Sequence, residues 1–489
     1  MKHLPRLLLA ALLTASHLHA QTATTPADPF LKNPAQPESG DTGLWKNLML
    51  VLEVYALDKN DALAVLESER GSGARYRRVV ALAATGKARL DTLTALPCKS
   101  GQKAVAESID EVTYPTGFHP ASRKGGLATA MTFETRNVGD GLEFEPVLGP
   151  DGRTCELSII PQHISLAGFR DIVGMADDPR VAQPLFASQK LTTSTTLPCN
   201  EPHYLGTLTP PGTSGLGVAK AEVWLAFVRV NLVGPTAAEM KPPAKPMDWS
   251  ALELQYSFYT LERAAARELL IAPPGLSAPW EKLQTLLGEK KARFESLVSM
   301  KTKSGQRAMA EEIHEVRYAT EYDAPGFTRS TEKTTTGNVT TTVTREVPNP
   351  DGTPGVPSTF ETRNAGMSIE VEPVVGPDAL TIDLSHAVSS VDFLGDLKTT
   401  GVAAQYPSRP LFETRKITTS LSLLGGQHTL AGTFNPPGAD GVNDRADTSG
   451  KEKWPLPSAK PSRLANGMPS SATLAPAAGA PLNRTVPLI

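Results

Sequence analysis

The sequence predicts a β-rich α+β protein built from two tandem copies of one module, each a strand-helix-strand entrance followed by an antiparallel β-meander. Three observations predict it. Several sequence blocks recur in the same order, apolar residues in them alternate with polar ones at a period of two, and the chain is rich in turn formers. Gly 39 and Pro 42 in 489 residues, with aromatics at only 6%, favour short strands, many turns and modest cores. The length is enough for two or three domains. Lys+Arg 48 nearly balances Asp+Glu 51, and hydrophobic residues make up 40%. Those values exclude a strongly basic polyanion binder and a wholly disordered acidic chain, so no nucleic-acid partner is expected.

In chain order, Lys2, His3 and Arg6 precede the apolar run Leu7 to Leu13, and small residues follow to Ala20. This pattern reads as a secretory signal peptide over 1–20, cleaved after Ala20, with an N-terminal extension over 21–43. The apolar run is shorter than the roughly 20 residues a membrane-spanning helix needs, and no transmembrane helix is expected elsewhere. Met49 to Leu57 reads as a strand, Asp61 to Glu67 and Tyr76 to Ala88 as helical, and a second strand leads into Ser100. Leu252 to Leu261, Glu262 to Ile271, Trp280 to Arg293 and Phe294 to Thr302 repeat that entrance.

Beyond the entrance the repeat is explicit. Ser100-Gly101-Gln102 and the Glu111-to-Tyr114 block recur at Ser304-Gly305-Gln306 and Glu315-to-Tyr318, an offset of 204 residues. Phe133-Glu134-Thr135-Arg136-Asn137 recurs unchanged as Phe360-Glu361-Thr362-Arg363-Asn364, and Glu145-to-Asp151 recurs as Glu372-to-Asp378, now at an offset of 227. Pro184-Leu185-Phe186 matches Pro410-Leu411-Phe412, and Thr207 to Gly212 matches Thr433 to Gly438, at 226. Copy one therefore spans 44–233 and copy two 249–438, joined by a Pro-rich linker over 234–248. The change of offset marks a 23-residue insertion in copy two, read as a Thr-rich hairpin over 327–347 turning at Gly337-Asn338. The segment 439–489 has seven prolines and one aromatic, Trp454, and reads as a disordered Pro/Ala-rich tail.

Within each copy, Leu142, Phe144 and Pro146, or Ile369, Val371 and Pro373, alternate with Glu143 and Glu145, or Glu370 and Glu372. Period two puts the apolar set on a core face and the carboxylates on the opposite, solvated face. Gly-Pro-Asp then marks a turn, and Cys155, Leu157 and Ile159, or Leu380, Ile382 and Leu384, supply the next strand.

No Walker loop, GxGxxG, GxSxG or HExxH pattern is present, and no histidine recurs at its aligned position. The expectation is a protein with no catalytic residue, no metal and no cofactor. Glu134 with Arg136, and Glu361 with Arg363, lie two apart on one strand face and can pair across strands or contact a partner chain. Of three cysteines, Cys155 aligns with Ile382 on an apolar face and reads as a buried small hydrophobe. Cys98 and Cys199 are both present in copy one and both replaced in copy two, by Thr302 and Gly425, which suggests that they form a disulfide.

The ordered series Ser-Gly-Gln, Glu-Val-x-Tyr, Phe-Glu-Thr-Arg-Asn, Glu-Pro-Val-x-Gly-Pro-Asp and Pro-Leu-Phe-x-x-x-Lys-x-Thr-Thr-Ser resembles the C-terminal module of bacterial secretins, the outer-membrane portals of type II and III secretion and type IV pilus systems. The resemblance covers most of both copies. It implies an exported protein, periplasmic or outer-membrane associated in a Gram-negative-type bacterium, acting as a non-catalytic structural or accessory component of a secretion or pilus-like system. Its implied partners are proteins of the envelope or secretion machinery, with a homo-oligomer open. Two alternatives stand beside that reading: a ring-forming portal subunit, and a periplasmic binding or adhesion module.

Overall fold

A computed structural model describes residues 45–119, 128–173, 180–210, 222–237, 239–240, 252–271, 276, 278–323, 327–336, 339–348, 356–397, 406–434 and 485–488. The expected fold class holds: antiparallel sheets dominate, with four short helices among the described residues. Copy one runs β1 (Asn47–Asp58), α1 (Lys59–Ser68), α2 (Ser72–Ala84), β2 (Ala88–Cys98), β3 (Ala104–His119), β4 (Thr129–Leu148), β5 (Thr154–Val173), β6 (Arg180–Lys190), β7 (Thr193–Pro198), β8 (His203–Leu208) and β9 (Glu222–Val233). Copy two runs β10 (Leu252–Leu261), α3 (Arg263–Ile271), α4 (Ala278–Gly288), β11 (Ala292–Thr302), β12 (Ala308–Asp323), β13 (Phe327–Thr336), β14 (Val339–Pro348), β15 (Val356–Val375), β16 (Thr381–Asp396) and β17 (Pro410–Leu424), with β18 (Thr485–Leu488) at the chain's end.

The entrance strands of copy one form a four-stranded sheet, β2-β1-β9-β8. Both faces of β1 are covered, which is why its sequence is apolar almost without interruption. Leu48, Leu50, Leu52, Val54 and Ala56 point to the large sheet, against Leu142, Phe144, Leu157 and Ile159. Met49, Val51, Tyr55 and Leu57 point the other way, toward the helices. The equivalent strands β10 and β11 pair with each other, and β18 adds in parallel along Glu253–Tyr256. Both entrances share one irregularity, a bulge at Val54/Tyr55 and again at Phe258/Tyr259.

Both second helices end earlier than the periodicity predicts, at Ala84 and at Gly288. Gly86 at φ 76 and Lys290 at φ 59 turn the chain out of the helix, with Lys87 and Lys291 N–H groups donating back to Leu82 and Leu286 carbonyls. A lysine in that left-handed position gives no sequence signal, so the stop in copy two is hidden.

The meander strands of both copies lie in one nine-stranded sheet, β12-β15-β16-β17-β3-β4-β5-β6, with β7 also on β5. Leu142, Phe144, Cys155, Leu157, Ile159, Ile369, Val371, Ile382 and Leu384 are all buried, on the face that alternation assigns to the core. Leu380, grouped with them by its sequence position, precedes β16 and is only half-buried. The turn between paired strands is built by Asp151 and Asp378, whose carboxylates accept from the N–H groups two and three residues on. On the outer face, Glu143 meets Lys103 and Glu370 meets Arg307.

β13 and β14 form a separate two-stranded sheet from Phe327↔Pro348 to Thr336↔Val339; the turn residues 337 and 338 lie outside the described residues. So do residues 1–44, on which the expected signal peptide and N-terminal extension fall, most of the expected linker, and residues 435–484 and 489. Leu44–Ile489 is one compact unit, so the two copies are not separate bodies.

Candidate functional site

Among the described residues, an extended polar construction marks the seam where copy two meets copy one. β17 and β3 pair antiparallel over eight positions, from Leu411↔Val112 to Thr418↔Val105. On the core side of this pairing lie Val112 opposite Leu411 and Ala106 opposite Ile417; on the other side Lys416 stands opposite Glu107. Pairing between the copies is thus of the same kind as pairing within them.

Side chains lock the seam at several levels. Arg363, from the repeated block of copy two, forms a forked contact with Glu111 of copy one, its Nε donating to Oε2 at 3.0 Å and Nη2 to Oε1 at 2.5 Å. Thr414 joins the clamp, its Oγ1 accepting from Arg363 Nη2 at 3.1 Å and donating to Glu111 at 2.7 Å. Bidentate Arg–carboxylate geometry fixes direction as well as distance. Nearer the entrance, Lys99 Nζ meets Asp383 at 2.8 Å, Trp45 Nε1 donates to Thr381 Oγ1 at 3.0 Å, and Thr419 Oγ1 donates to the Pro97 carbonyl at 2.7 Å. Thr433 closes a reciprocal pair with the Ala95 backbone.

The helices add a second contact. Glu53 is buried on β1 and accepts from Tyr55 OH at 3.0 Å, Tyr76 OH at 2.7 Å and Arg267 Nε at 2.5 Å, the last from α3 of the other copy. Burial, with the Glu53 charge added, pushes the Tyr76 phenol up to about 12. Beneath the seam Arg415 is almost fully enclosed, near Glu413, Asp392 and Asp110, and burial pulls its pKa below the usual guanidinium value while the two aspartates oppose the shift.

The four repeated motif residues fall into two classes. Glu134 and Glu361 do the same thing in each copy: each lies directly opposite a tyrosine of the Glu-Val-x-Tyr block and accepts a long hydrogen bond from it, Tyr114 and Tyr318 respectively, both at 3.4 Å. Arg363 and Arg136 differ. Arg363 reaches the other copy, whereas Arg136 is exposed and has no ion partner among the described residues. The sequence marks the arginines and Glu111 as members of repeated blocks but not their pairing, nor Lys99, Asp383 or Trp45, because these roles depend on a strand pairing between positions about 300 residues apart in the chain.

The pairing of Cys98 with Cys199 expected from the sequence is not the arrangement found: these two and Cys155 are free thiols buried in one core cluster. Cys155 lies on β5 in the same cluster. Burial pushes the Cys155 thiol up to about 12 and Cys199 to about 11, and raises Cys98 further. None is poised as a nucleophile.

Beside the seam, between the entrance sheet and the large sheet, lies a cavity of about 30 Å³ lined by Thr92, Ser108, Asp140, His163, Trp224 and Phe434 among others. His163 Nδ1 is 2.7 Å from Asp140 Oδ1, and its ring meets Trp224 edge-on with centroids 5.0 Å apart. Among the described residues, no group of His, Cys, Asp and Glu is arranged to hold a metal ion, and no helix is long and apolar enough to cross a membrane.

No family model matches the chain, and no curated protein matches it. Among solved structures, the chain is similar to Aeromonas hydrophila ExeD, at 11% identity and a TM-score of 0.18, over 39% of this chain and 49% of that one. It is similar over the same share to the Klebsiella pneumoniae type II secretion system outer membrane complex of PulD, PulS and PulC HR domain, at 13% identity and a TM-score of 0.19, covering 41% of that chain. A third is the V. cholerae type IV competence pilus secretin PilQ, at 13% identity and a TM-score of 0.17, covering 58% of that chain. The matched part spans about half the length of those chains.

Proposed function

We propose that the chain is an exported, non-catalytic component of a bacterial envelope, serving a secretion or pilus-like system in a structural or accessory role. It works by joining sheet edge to sheet edge. The observation that carries this reading is the β17–β3 seam, in which one copy of the module recognises another through eight paired backbone positions and a forked Arg–Glu contact. The ordered motif series that resembles the secretin module supports the setting, and the apolar run after Lys2, His3 and Arg6 supports export. Polar side-chain contacts at Arg363–Glu111, Lys99–Asp383 and Arg267–Glu53 join the two modules and support this reading.

The test is made in a bacterium that carries the gene. The chain is expected in the envelope fractions after osmotic shock and membrane separation, and its deletion is expected to lower protein export or piliation at least several-fold. Recovery in the cytoplasm, or unchanged export and piliation in the deletion strain, overturns the reading.

A further inference from the structure

The entrance strands of the two copies differ in what stands beside them. In copy one, β2 pairs with β1 on one side from Leu48↔Cys98 to Leu57↔Ala88, and β9 pairs on the other from Asn47↔Val233 to Asp58↔Glu222, antiparallel throughout. In copy two, β11 repeats the pairing of β2, from Leu252↔Thr302 to Leu261↔Ala292. On the opposite side of β10, where β9 stands in copy one, the only strand among the described residues is β18. It falls within 439–489, the stretch whose composition reads as a tail, and it runs parallel to β10 over four positions, Glu253↔Thr485 to Tyr256↔Leu488. We infer that this side of β10 is a binding site for an extended apolar peptide strand, held closed by the chain's own Thr485–Leu488.

Thr485–Leu488 closes the edge incompletely. β10 has ten residues, and from Ser257 to Leu261 none has a strand neighbour on this side among the described residues. The burial pattern records the difference. Phe258, Tyr259 and Thr260 are half-buried, whereas their counterparts at the offset of 204, Val54, Tyr55 and Ala56, are 4%, 2% and 4% exposed beside β9. The closing strand is also a weak pairer. Pro487, opposite Gln255, brings no N–H to the ladder, and parallel pairs are slightly less stable per residue than antiparallel ones.

Copy one shows what fits such an edge. Trp224, Ala226, Val228 and Val230 of β9 join the core shared with the large sheet, while Leu225 and Phe227 join the cluster under α1 and α2. β10 stands in the same kind of place, with Leu254 and Tyr256 in the core shared with the large sheet and Tyr259 and Leu261 against α3 and α4. A strand beside it meets apolar surroundings on both faces, so it needs a nearly continuous apolar run rather than an alternating one. A strand with polar residues on either face would bury groups that find no partner. The backbone ladder supplies affinity and the two apolar faces supply selectivity. Thr485–Leu488, being part of the same chain, competes at a fixed effective concentration; it keeps weak strands off an edge that would otherwise be sticky and yields to a longer apolar one.

The test compares the full chain with a chain lacking residues 485–488, both shown to be folded by circular dichroism. Hydrogen exchange over Glu253–Tyr256 is expected to quicken at least about tenfold in the shortened chain, with exchange over Ala308–Val316 of β12 unchanged. Two synthetic peptides probe the opened edge: the β9 sequence Glu222–Val233, apolar on both faces, and the Thr-rich Val339–Pro348. The β9 peptide is expected to bind the shortened chain with a Kd at least about tenfold below that for the full chain, and to spread protection along β10 to Leu261. Val339–Pro348 should bind neither chain. A chain with both Gln255→Cys and Pro487→Cys, treated with a short bismaleimide, should cross-link within a single chain. Unchanged exchange over Glu253–Tyr256, equal affinity of the β9 peptide for the two chains, or cross-links that join two chains overturn the inference. None of these readouts depends on the cellular role proposed above, so either can fail without the other.

Discussion

His386 shows what burial does to one titratable side chain in this core. It sits on β16, 4% exposed, with Nδ1 3.1 Å from the Tyr256 hydroxyl, and burial pushes its pKa down to about 4. An unfolded chain binds a proton at this residue below about pH 6.5, and the folded chain does not until about pH 4, so unfolding takes up a proton in that window. The stability tied to His386 is complete above about pH 6.5 and falls as the pH drops toward 4, by about 2 kcal/mol at pH 5. His386→Gln should remove this slope. Urea midpoints of the two proteins at pH 7.5 and pH 5 check it: the wild type should lose more stability than the variant, and parallel losses would show that the histidine is not the source. The cysteines make a related point about what residue-level reading can reach. Presence in copy one and absence in copy two points to a Cys98–Cys199 disulfide, whereas Cys98, Cys155 and Cys199 are free thiols in one core cluster.

At the scale of elements, the repeated blocks were legible because each does a local job twice. The Asp151 and Asp378 turns, the Glu134–Tyr114 and Glu361–Tyr318 pairs and the alternating core faces are all short-range and appear in both copies. Two glycines between those blocks, Gly139 on β4 and Gly366 on β15, have φ of 136° and 132°, and a Cβ at either would collide with the carbonyl of Ser108 or Glu312 on the paired strand. Gly139→Ala and Gly366→Ala are therefore each expected to cost at least about 2 kcal/mol. Gly141→Ala, in the same strand with open space around it, should change stability by less than about 1 kcal/mol. Thermal or urea unfolding of the three variants decides this, and equal effects at positions 139 and 141 would contradict it. What alternation could not show is β1, where Leu48 to Leu57 are covered from both sides: the periodicity of a strand reports one face, and here α2 and α3 come from different copies to cover the other.

The whole molecule is held together by cores that ignore the boundary between copies. Ile417 of copy two packs with Leu96 and Ala106 of copy one, and Leu269, Leu270 and Leu283 of copy two pack on Met49, Val51, Leu93 and Ala95. A duplicated sequence with a Pro-rich joint reads naturally as two beads on a string, and the extent to which the beads have merged was not legible, because strand partners some 300 residues apart leave no local mark. Merged cores have a thermodynamic consequence. If each copy were stable alone, unfolding would show two transitions; Leu93 and Ala95 are at zero exposure in a cluster shared with α3 and α4, so losing copy two uncovers the core of copy one. One cooperative transition is therefore expected, with hydrogen exchange on β1 and β10 protected to the same free energy. Leu269→Ala, a truncation in copy two, should cost about 2–4 kcal/mol and lower protection on β1 of copy one as much as on β10. Hydrogen exchange followed by mass spectrometry separates the two outcomes: equal losses on both strands mark one folding unit, whereas a loss confined to β10 would mean that the copies fold independently and that the seam joins two finished modules.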